Sequence, residues 1–109
     1  MAKTHSLWAG FGKIEITPTH PLGMTLCGMP RIFPGARGVL DPLFARGCYL
    51  EAGDNRFLMI VLDLVENRII KPIRQEVIDA IAAEGKLSPQ NIWLCCTHCH
   101  SAPGEWGTT

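Results

Sequence analysis

The sequence predicts an α/β fold: a mixed sheet with a strand-helix-strand crossover and a long Gly/Pro-rich loop. Three consecutive segments predict the crossover: a strongly apolar run over 57–65, a helical repeat over 68–84 and a second apolar strand over 91–97. Because crossovers of this kind join parallel strands, we expect 57–65 and 91–97 to pair in parallel. The glycines and prolines scattered over 18–42 predict the loop.

Two earlier strands are expected to complete the sheet. Residues 12–17 alternate between polar and apolar side chains, which predicts a short strand with its isoleucines on one face. Residues 43–50 predict a second strand, and Gly53-Asp54-Asn55 supplies the turn that joins it to 57–65. The loop over 18–42 is long enough to suggest a functional role, and the alternative is a segment that only closes an edge of the domain.

The run over 57–65 and the helix are expected to form the core. The run is uninterrupted by polar residues over 57–62, which is typical of a strand covered on both faces. Pro72 fits the first turn of the helix, and Gly85 is expected to adopt the left-handed conformation that ends it. Apolar side chains recur along the helix at helical spacing and predict its buried stripe: Ile70, Ile73, Val77 and Ile81.

Composition and charge narrow the possible functions. The chain is 47% hydrophobic and 18% charged, with ten basic and ten acidic residues, which argues against disorder and against binding nucleic acid through charge. No segment has the roughly 20 apolar residues of a transmembrane helix, and residues 1–13 lack the apolar stretch of a secretory signal. The five cysteines, an odd number, argue against a regular disulfide framework. We therefore expect reduced thiols and a cytoplasmic location.

The candidate site follows the last predicted strand, in the segment Thr97-His98-Cys99-His100-Ser101. Ligand sites of parallel sheets collect beyond the carboxyl ends of the strands, where this segment lies. In extended backbone, His98 and His100 point the same way and can converge on one ion, while Cys99 faces away. A catalytic zinc takes three protein ligands and a water, so two histidines form part of such a site. The alternative is a pair of histidines in a surface loop or a hydrogen-bond network.

The neighbouring cysteines leave a second kind of metal site open. Cys96 shares its parity with His98 and His100, so a structural Cys/His zinc site is an alternative, as is a metal-sensing module that uses Cys96 and Cys99. Structural zinc sites normally use two separated pairs of ligands, which the other cysteines do not supply. The simplest interpretation of Cys95 and Cys96 is that of small buried residues in a packed strand.

Several segments, taken in order, resemble the neutral/alkaline, non-lysosomal ceramidases. The stretch 91–104, NIWLCCTHCHSAPG, resembles their Thr-His-Thr-His-Ser-Gly-Pro segment, with Cys and Ala in place of one Thr and the Gly. The stretch 10–18, GFGKIEITP, matches their opening Gly-x-Gly-x-x-x-Ile-Thr-Pro pattern. A Gly-rich loop over 24–38, a strand that contains Arg46 and an apolar strand that ends in Asp63 follow in the same order. The resemblance covers nearly the whole chain.

The resemblance implies that residues 1–109 are the N-terminal part of a ceramidase-like hydrolase domain, which is incomplete without later residues. It implies a zinc-dependent amidohydrolase that cleaves an N-acyl, ceramide-like bond in a small-molecule or lipid amide. His98 would bind the zinc together with later His, Glu and Tyr residues, and His100 would assist proton transfer or hold the substrate. A partner chain or a downstream region would complete the site.

Four further residues near the motif are candidates. Asp63 either takes part in catalysis by approaching the metal pocket and orienting an imidazole, or caps the turn before the helix. Arg46 is expected to form an ion pair that holds Asp63 in place. Glu105 is a candidate general base, and Trp106 is a candidate pocket wall. The alternative to a hydrolase is a non-catalytic small α/β domain that binds a ligand or a partner chain.

Overall fold

A four-stranded mixed sheet with one helix forms the protein, seen in a computed structural model that describes residues 6–24, 26 and 35–104. The strands stand in sequence order across the sheet, with β1–β2 and β2–β3 antiparallel and β3–β4 parallel. The predicted mixed sheet and the parallel crossover are therefore confirmed. The elements are β1 (Leu7–Glu15), β2 (Phe44–Ala52), β3 (Asn55–Leu62), a 3-10 turn (Asn67–Ile70), α1 (Lys71–Gly85), a second 3-10 turn (Pro89–Asn91) and β4 (Ile92–Cys96).

The first strand is longer than the sequence pattern predicts and begins earlier. It pairs with β2 without interruption, from Leu7 opposite Ala52 to Glu15 opposite Phe44. Pairing with a neighbour recruits the glycines and apolar residues that precede the alternating stretch, because strand formation depends on such contacts more than on local preference. The expectation of a buried isoleucine face is wrong for Ile14, which is 68% exposed.

The apolar strand β3 is covered less completely than its sequence suggests. Leu58, Ile60 and Leu62 alternate along the strand and pack against the core beside α1. Phe57 lies on the opposite face, where its ring contacts that of Trp93 edge to face with centroids 5.0 Å apart. Each residue of β3 from Phe57 to Leu62 remains partly exposed, so the prediction of a strand buried on both faces is wrong. Within the described residues, a single helix covers only one face of the sheet.

The buried core lies between α1, β4 and the segment that follows β3. It includes a set of apolar residues that are each less than a tenth exposed: Leu64, Val65, Ile69, Ile70, Ile78, Leu87, Ile92, Leu94 and Ala102. The most deeply buried residue of α1 is Ile78, 5% exposed, whereas Ile73 of the predicted stripe is 47% exposed. An apolar groove of about 680 Å³ lies between the helix and the sheet, with Ile73 and Val77 of α1 on one side and Ile14 and Leu58 of the sheet on the other.

The α-helix begins at Lys71, three residues later than predicted, because Asn67–Ile70 form a 3-10 turn, and it ends at Gly85, one residue later than predicted. Pro72 lies in the first turn, where its missing N–H costs little. Gly85 is the last helical residue, and the left-handed conformation falls on Lys86, with φ of 53°. A Cβ on Gly85 would stand 3.3 Å from Cδ1 of Leu87, which folds back into the core. Packing of Leu87 against the end of the helix therefore explains the position of the glycine.

In the described residues, no helix combines the length and the hydropathy needed to cross a bilayer.

Candidate metal site

The parallel pairing of β3 with β4 places the ends of these strands side by side. The segments that leave the two strands then remain connected through the backbone: Thr97 N–H donates to Leu62 O at 2.9 Å, and Cys99 N–H donates to Leu64 O at 3.1 Å. Because Leu64 is buried in the core, the histidine motif is tied to a rigid part of the fold. The predicted location beyond the carboxyl ends of parallel strands is the observed one.

A hydrogen bond from the His98 ring leaves its other nitrogen, Nε2, able to bind a metal. Its Nδ1 lies 3.2 Å from the carbonyl oxygen of Val65. A carbonyl only accepts, so Nδ1 carries the proton in this hydrogen bond and Nε2 keeps its lone pair. Histidine ligands of metals are commonly oriented by such a bond from their other nitrogen.

His100 directs its own ring at the same point. The Nε2 atoms of His98 and His100 lie 3.1 Å apart, and the two rings are almost perpendicular, at 88°. Since His98 Nε2 has the lone pair, His100 Nε2–H is the donor of this hydrogen bond. Two imidazole nitrogens on one tetrahedral zinc, each about 2.0–2.1 Å from it, would stand roughly 3.3–3.4 Å apart. The pair therefore fits either a shared ion or the passage of a proton between the rings.

The backbone reason for this convergence differs from the predicted one. His98 has φ of 65°, in the left-handed region, and a turn begins at His100. The alternation of an extended chain is therefore not what brings the two rings together. Cys99 faces away from the pair, as expected, and packs against the core.

Asp63 is held beside the motif and acts on it through Thr97. Its carboxylate accepts hydrogen bonds from Phe44 N–H at 2.9 Å, from Thr97 Oγ1 at 3.2 Å and from Arg46 Nη1 at 3.0 Å. The ion pair predicted for Arg46 is thus observed, with Arg46 48% and Asp63 17% exposed. The predicted contact of Asp63 with an imidazole is not among these bonds. Desolvation alone would raise the pKa of Asp63, but the bonds from Phe44, Arg46 and Thr97 together hold it below its usual value.

The structure separates Cys96 from the two histidines. Its thiol donates to Asn67 Oδ1 at 3.2 Å, and Asn67 Nδ2 donates to Leu94 O at 2.9 Å. Burial raises the pKa of the Cys96 thiol, and the neighbouring Cys95 and Glu66 add to the effect. In the ranges 6–24, 26 and 35–104, no three His, Cys, Asp or Glu residues are grouped to hold a metal. Glu105 and Trp106 lie outside these ranges.

A cavity of about 550 Å³ opens beside the motif, on the side of Thr97, Cys99 and Ser101, and its lining includes neither His98 nor His100. The Gly/Pro-rich loop supplies most of its wall, and Asp63, Thr97 and Ser101 line the side nearest the strands. The loop is connected to the segment that follows the motif, because Leu26 forms a β-bridge with Pro103.

The sequence did not predict the hydrogen bonds of the Val65 carbonyl and of Asn67, since no side-chain pattern marks a backbone acceptor or a bridging amide.

Comparison with known proteins finds likeness in structure and none in sequence. No family model matches the chain, and no curated protein sequence matches it. Among solved structures, a ceramidase complexed with C2 superposes with a TM-score of 0.77 and 23% identity over 94% of this chain. The neutral ceramidase of Pseudomonas aeruginosa gives 0.78 and 22% over the same share. This is the fold of a segment of the ceramidases.

The likeness has a defined extent. The chain spans 16% of the length of each ceramidase chain. At identities of 22% and 23% the comparison establishes the fold, and it confirms the resemblance drawn from the motifs at that level. Residues that complete a ceramidase lie outside the part that this chain matches.

Proposed function

We propose that this chain is the part of a ceramidase-like, zinc-dependent amide hydrolase that supplies a first zinc ligand, His98, and the neighbouring His100. One observation carries the proposal: His98 keeps its Nε2 lone pair because Nδ1 bonds to Val65 O, and that lone pair lies 3.1 Å from His100 Nε2. The pair occurs within a fold shared with ceramidases. Residues 1–109 are on this proposal the N-terminal part of the hydrolase domain.

The donor set fits zinc, because neutral imidazole is a common ligand and the tautomer of His98 is already set. Two histidines leave further positions for ligands from a later region or a partner chain. When bound, zinc supplies an electrophile for an amide carbonyl and a water whose pKa is lowered toward 7. The chain's own task is then to hold His98 Nε2 in place, through Val65 O on one side and the Leu64 backbone on the other.

His100 is the proposed proton carrier of the site. Its Nε2–H donates to His98 Nε2, and with that nitrogen engaged by zinc the same N–H would be available to a substrate atom. Asp63 is a positioning residue in this scheme. Its carboxylate accepts hydrogen bonds from Phe44 N–H, Arg46 Nη1 and Thr97 Oγ1. The last of these holds Thr97, the residue directly before His98.

The proposed substrate is a lipid amide, a small-molecule class in keeping with the neutral charge of the chain. The 550 Å³ cavity next to the motif is walled by apolar loop residues, among them Met24, Val39 and Leu43, which suits an acyl chain or a sphingoid base. Asp63, Thr97 and Ser101 place polar atoms at one side of the same cavity, where a hydroxyl group of the substrate would bind while its amide reaches His98 and His100 outside the cavity.

The substitution His98→Ala, made in the protein as it occurs in its native source, tests the proposal. Bound zinc is measured by mass spectrometry of the metal, and activity is measured with a fluorescent short-chain ceramide. We expect both to be lost, whereas the matched change His20→Ala, at an exposed histidine of the loop, preserves both. Retention of zinc and activity in His98→Ala would refute the hydrolase function. Loss of activity with zinc retained would assign His98 a role other than ligand.

A non-catalytic binding domain is the second candidate. It is favoured by the sheet face that α1 leaves uncovered, where Trp93 is 57% exposed. This reading predicts that the native protein contains no stoichiometric zinc and releases no fatty acid from ceramide. Zinc bound at one equivalent, lost in His98→Ala, excludes it.

A further inference from the structure

The segment that leaves β1 holds the far end of the Gly/Pro-rich loop. Ile16 N–H donates to Leu43 O at 2.8 Å, and Leu43 N–H donates to Thr17 Oγ1 at 2.9 Å. Two consecutive residues therefore bond both backbone groups of Leu43, one through its backbone and one through its side chain. We call these two hydrogen bonds the loop clasp. The clasp closes the base of the loop, because the loop over 18–42 begins directly after Thr17 and ends directly before Leu43.

The residue that follows the clasp is bonded to Asp63 instead. Phe44 N–H donates to Asp63 Oδ2 at 2.9 Å, and Asp63 N–H donates to Phe44 O at 3.0 Å. Asp63 Oδ1 accepts a hydrogen bond from the hydroxyl of Thr97 at 3.2 Å, and Thr97 directly precedes His98. A row of hydrogen bonds thus runs from Thr17 after β1, across the start of β2 and the end of β3, to the histidine motif after β4.

We propose that Thr17 is a positioning residue for His98, which it reaches through the loop clasp and Asp63. The inference rests on the proposed function, in which His98 binds zinc. The Asp63 carboxylate is shared between the base of the loop and the motif. A shift of Phe44 therefore changes the position of the group to which Thr97 is bonded. Removal of outer hydrogen-bond partners of metal ligands commonly lowers metal affinity by roughly 10- to 100-fold.

The hydroxyl of Thr17 is the part of the clasp that a substitution can remove. Thr17 and Leu43 are both half-buried, so water replaces a lost acceptor poorly and the Leu43 N–H loses a good partner. Valine has nearly the shape of threonine without the hydroxyl, whereas serine keeps the hydroxyl. Leu43, Asp63 and Thr97 line the cavity beside the motif together with Thr17. The row therefore links the wall of the cavity to the motif.

Amide hydrogen exchange in the full chain tests the row without reference to zinc. Thr17→Val is expected to speed exchange at Leu43, where the bond is lost, and also at Thr97, whose N–H donates to Leu62 O. The expected change is about fivefold, the factor that one net hydrogen bond implies. Thr17→Ser is expected to remain within about twofold of the wild type at both amides. Faster exchange at Leu43 with no change at Thr97 overturns the proposal, because the clasp would then only close the loop.

A variant outside the row separates this effect from a general loss of stability. Ile78→Val removes one methyl group from the buried face of α1, which contributes no hydrogen bond to the row. It is expected to leave exchange at Thr97 unchanged relative to the amides of α1, whereas Thr17→Val speeds exchange at Thr97 relative to them. Equal relative rates in the two variants would refute a specific link.

The reciprocal variant Thr97→Val tests the row from its other end. It removes only the exposed hydrogen bond to Asp63 and leaves the clasp in place. Coupling between two sites is mutual, so exchange at Phe44, whose N–H donates to the same carboxylate, is expected to become faster. Ser101→Ala, at another exposed hydroxyl of the cavity wall, is the control and is expected to leave exchange at Phe44 unchanged. An unchanged rate at Phe44 in Thr97→Val also refutes the proposal.

Zinc affinity tests the role of the row in the proposed site. In the protein as it occurs in its native source, Thr17→Val is expected to weaken zinc binding about tenfold, whereas Thr17→Ser leaves it unchanged. Zinc bound equally well by Thr17→Val and by the wild type overturns the positioning role. A wild-type protein that binds no zinc would instead refute the proposed function, and exchange at Thr97 would still decide whether Thr17 positions the motif.

Discussion

The Nε2 atoms of His98 and His100 lie 3.1 Å apart, and this contact requires the two rings to be opposite tautomers. His98 donates through Nδ1 to Val65 O, so its Nε2 is the acceptor. His100 must then carry its proton on Nε2. His98 Nε2 therefore presents a lone pair at the same point where His100 Nε2 presents a proton.

Nitrogen-15 NMR of the imidazoles is expected to show this arrangement directly. In the protein without added metal, neutral His98 should carry its proton mainly on Nδ1, because one net hydrogen bond of about 1 kcal/mol favours this tautomer roughly fivefold. His100→Ala leaves the bond to Val65 in place, so the tautomer of His98 should persist in that variant. A predominantly Nε2-protonated His98 contradicts the assignment.

The ion pair of Asp63 with Arg46 is expected to make stability depend on pH. Folding lowers the pKa of Asp63, so the unfolded chain takes up the proton more readily as the pH falls. The stabilisation is present above the ordinary pKa of about 3.9 and is lost as the pH falls through the folded pKa. Asp63→Asn should reduce the free energy of unfolding at pH 7 by about 1–2 kcal/mol, since Arg46 is half exposed and the pair is partly screened.

Urea unfolding between pH 7 and pH 3 measures the effect. The difference between the wild-type chain and Asp63→Asn should shrink toward the acid end of this range. Asp54→Asn in the exposed β2–β3 turn is the control and should change stability by less than about 0.5 kcal/mol. A constant difference at every pH would mean that the carboxylate charge contributes nothing.

The pairing of β3 with β2 and with β4 could be predicted from the sequence, but the partner of β1 and the details at the site could not. Apolar runs and helical spacing predict where the strands and the helix lie. A helix that connects two strands of one sheet requires those strands to be parallel, which leaves few possible topologies. The location of His98 and His100 beyond the end of β4 was also predictable. The left-handed backbone of His98 and its bond to the Val65 carbonyl were not, because both follow from how two segments pack.

The C-terminal end of α1 is a second feature that the sequence did not predict correctly. A glycine near the end of a helical repeat normally marks the left-handed residue, yet Lys86 takes that conformation here. The deciding contact is with Leu87, whose Cδ1 would lie 3.3 Å from a Cβ at position 85. Such a contact between neighbours in the fold leaves no periodic signal in the sequence.

Truncation of Ile78 should show which face of α1 is buried. Ile78 is 5% exposed and belongs to the core, so Ile78→Ala is expected to cost about 2–4 kcal/mol in the free energy of unfolding. Ile73→Ala makes the same chemical change at a residue 47% exposed and is expected to cost less than about 1 kcal/mol. Denaturant unfolding of the two variants measures both costs. Equal losses of stability in the two variants would indicate that the predicted stripe through Ile73 is buried.

The wall of the cavity depends on the absence of a side chain at Gly35. Its φ of 83° is rarely adopted by other residues, and a Cβ there would stand 2.7 Å from Gly23 O and 2.8 Å from Met24 O. These are backbone atoms of a turn that is closed by Ala36 N–H donating to Met24 O at 2.9 Å. Gly35→Ala must therefore displace the loop from its present path.

Gly35→Ala is expected to lower the free energy of unfolding by about 1–2 kcal/mol and to speed hydrogen exchange at the amides of Gly23 and Ala36. Gly38→Ala is the matched control in the same loop, because nothing lies within 4 Å of the added methyl group. It should change stability by no more than about 0.5 kcal/mol and leave both amides protected. If the two variants exchanged alike, the turn at Gly35 would not be what holds the cavity wall, and the loop would owe its position to the bridge between Leu26 and Pro103.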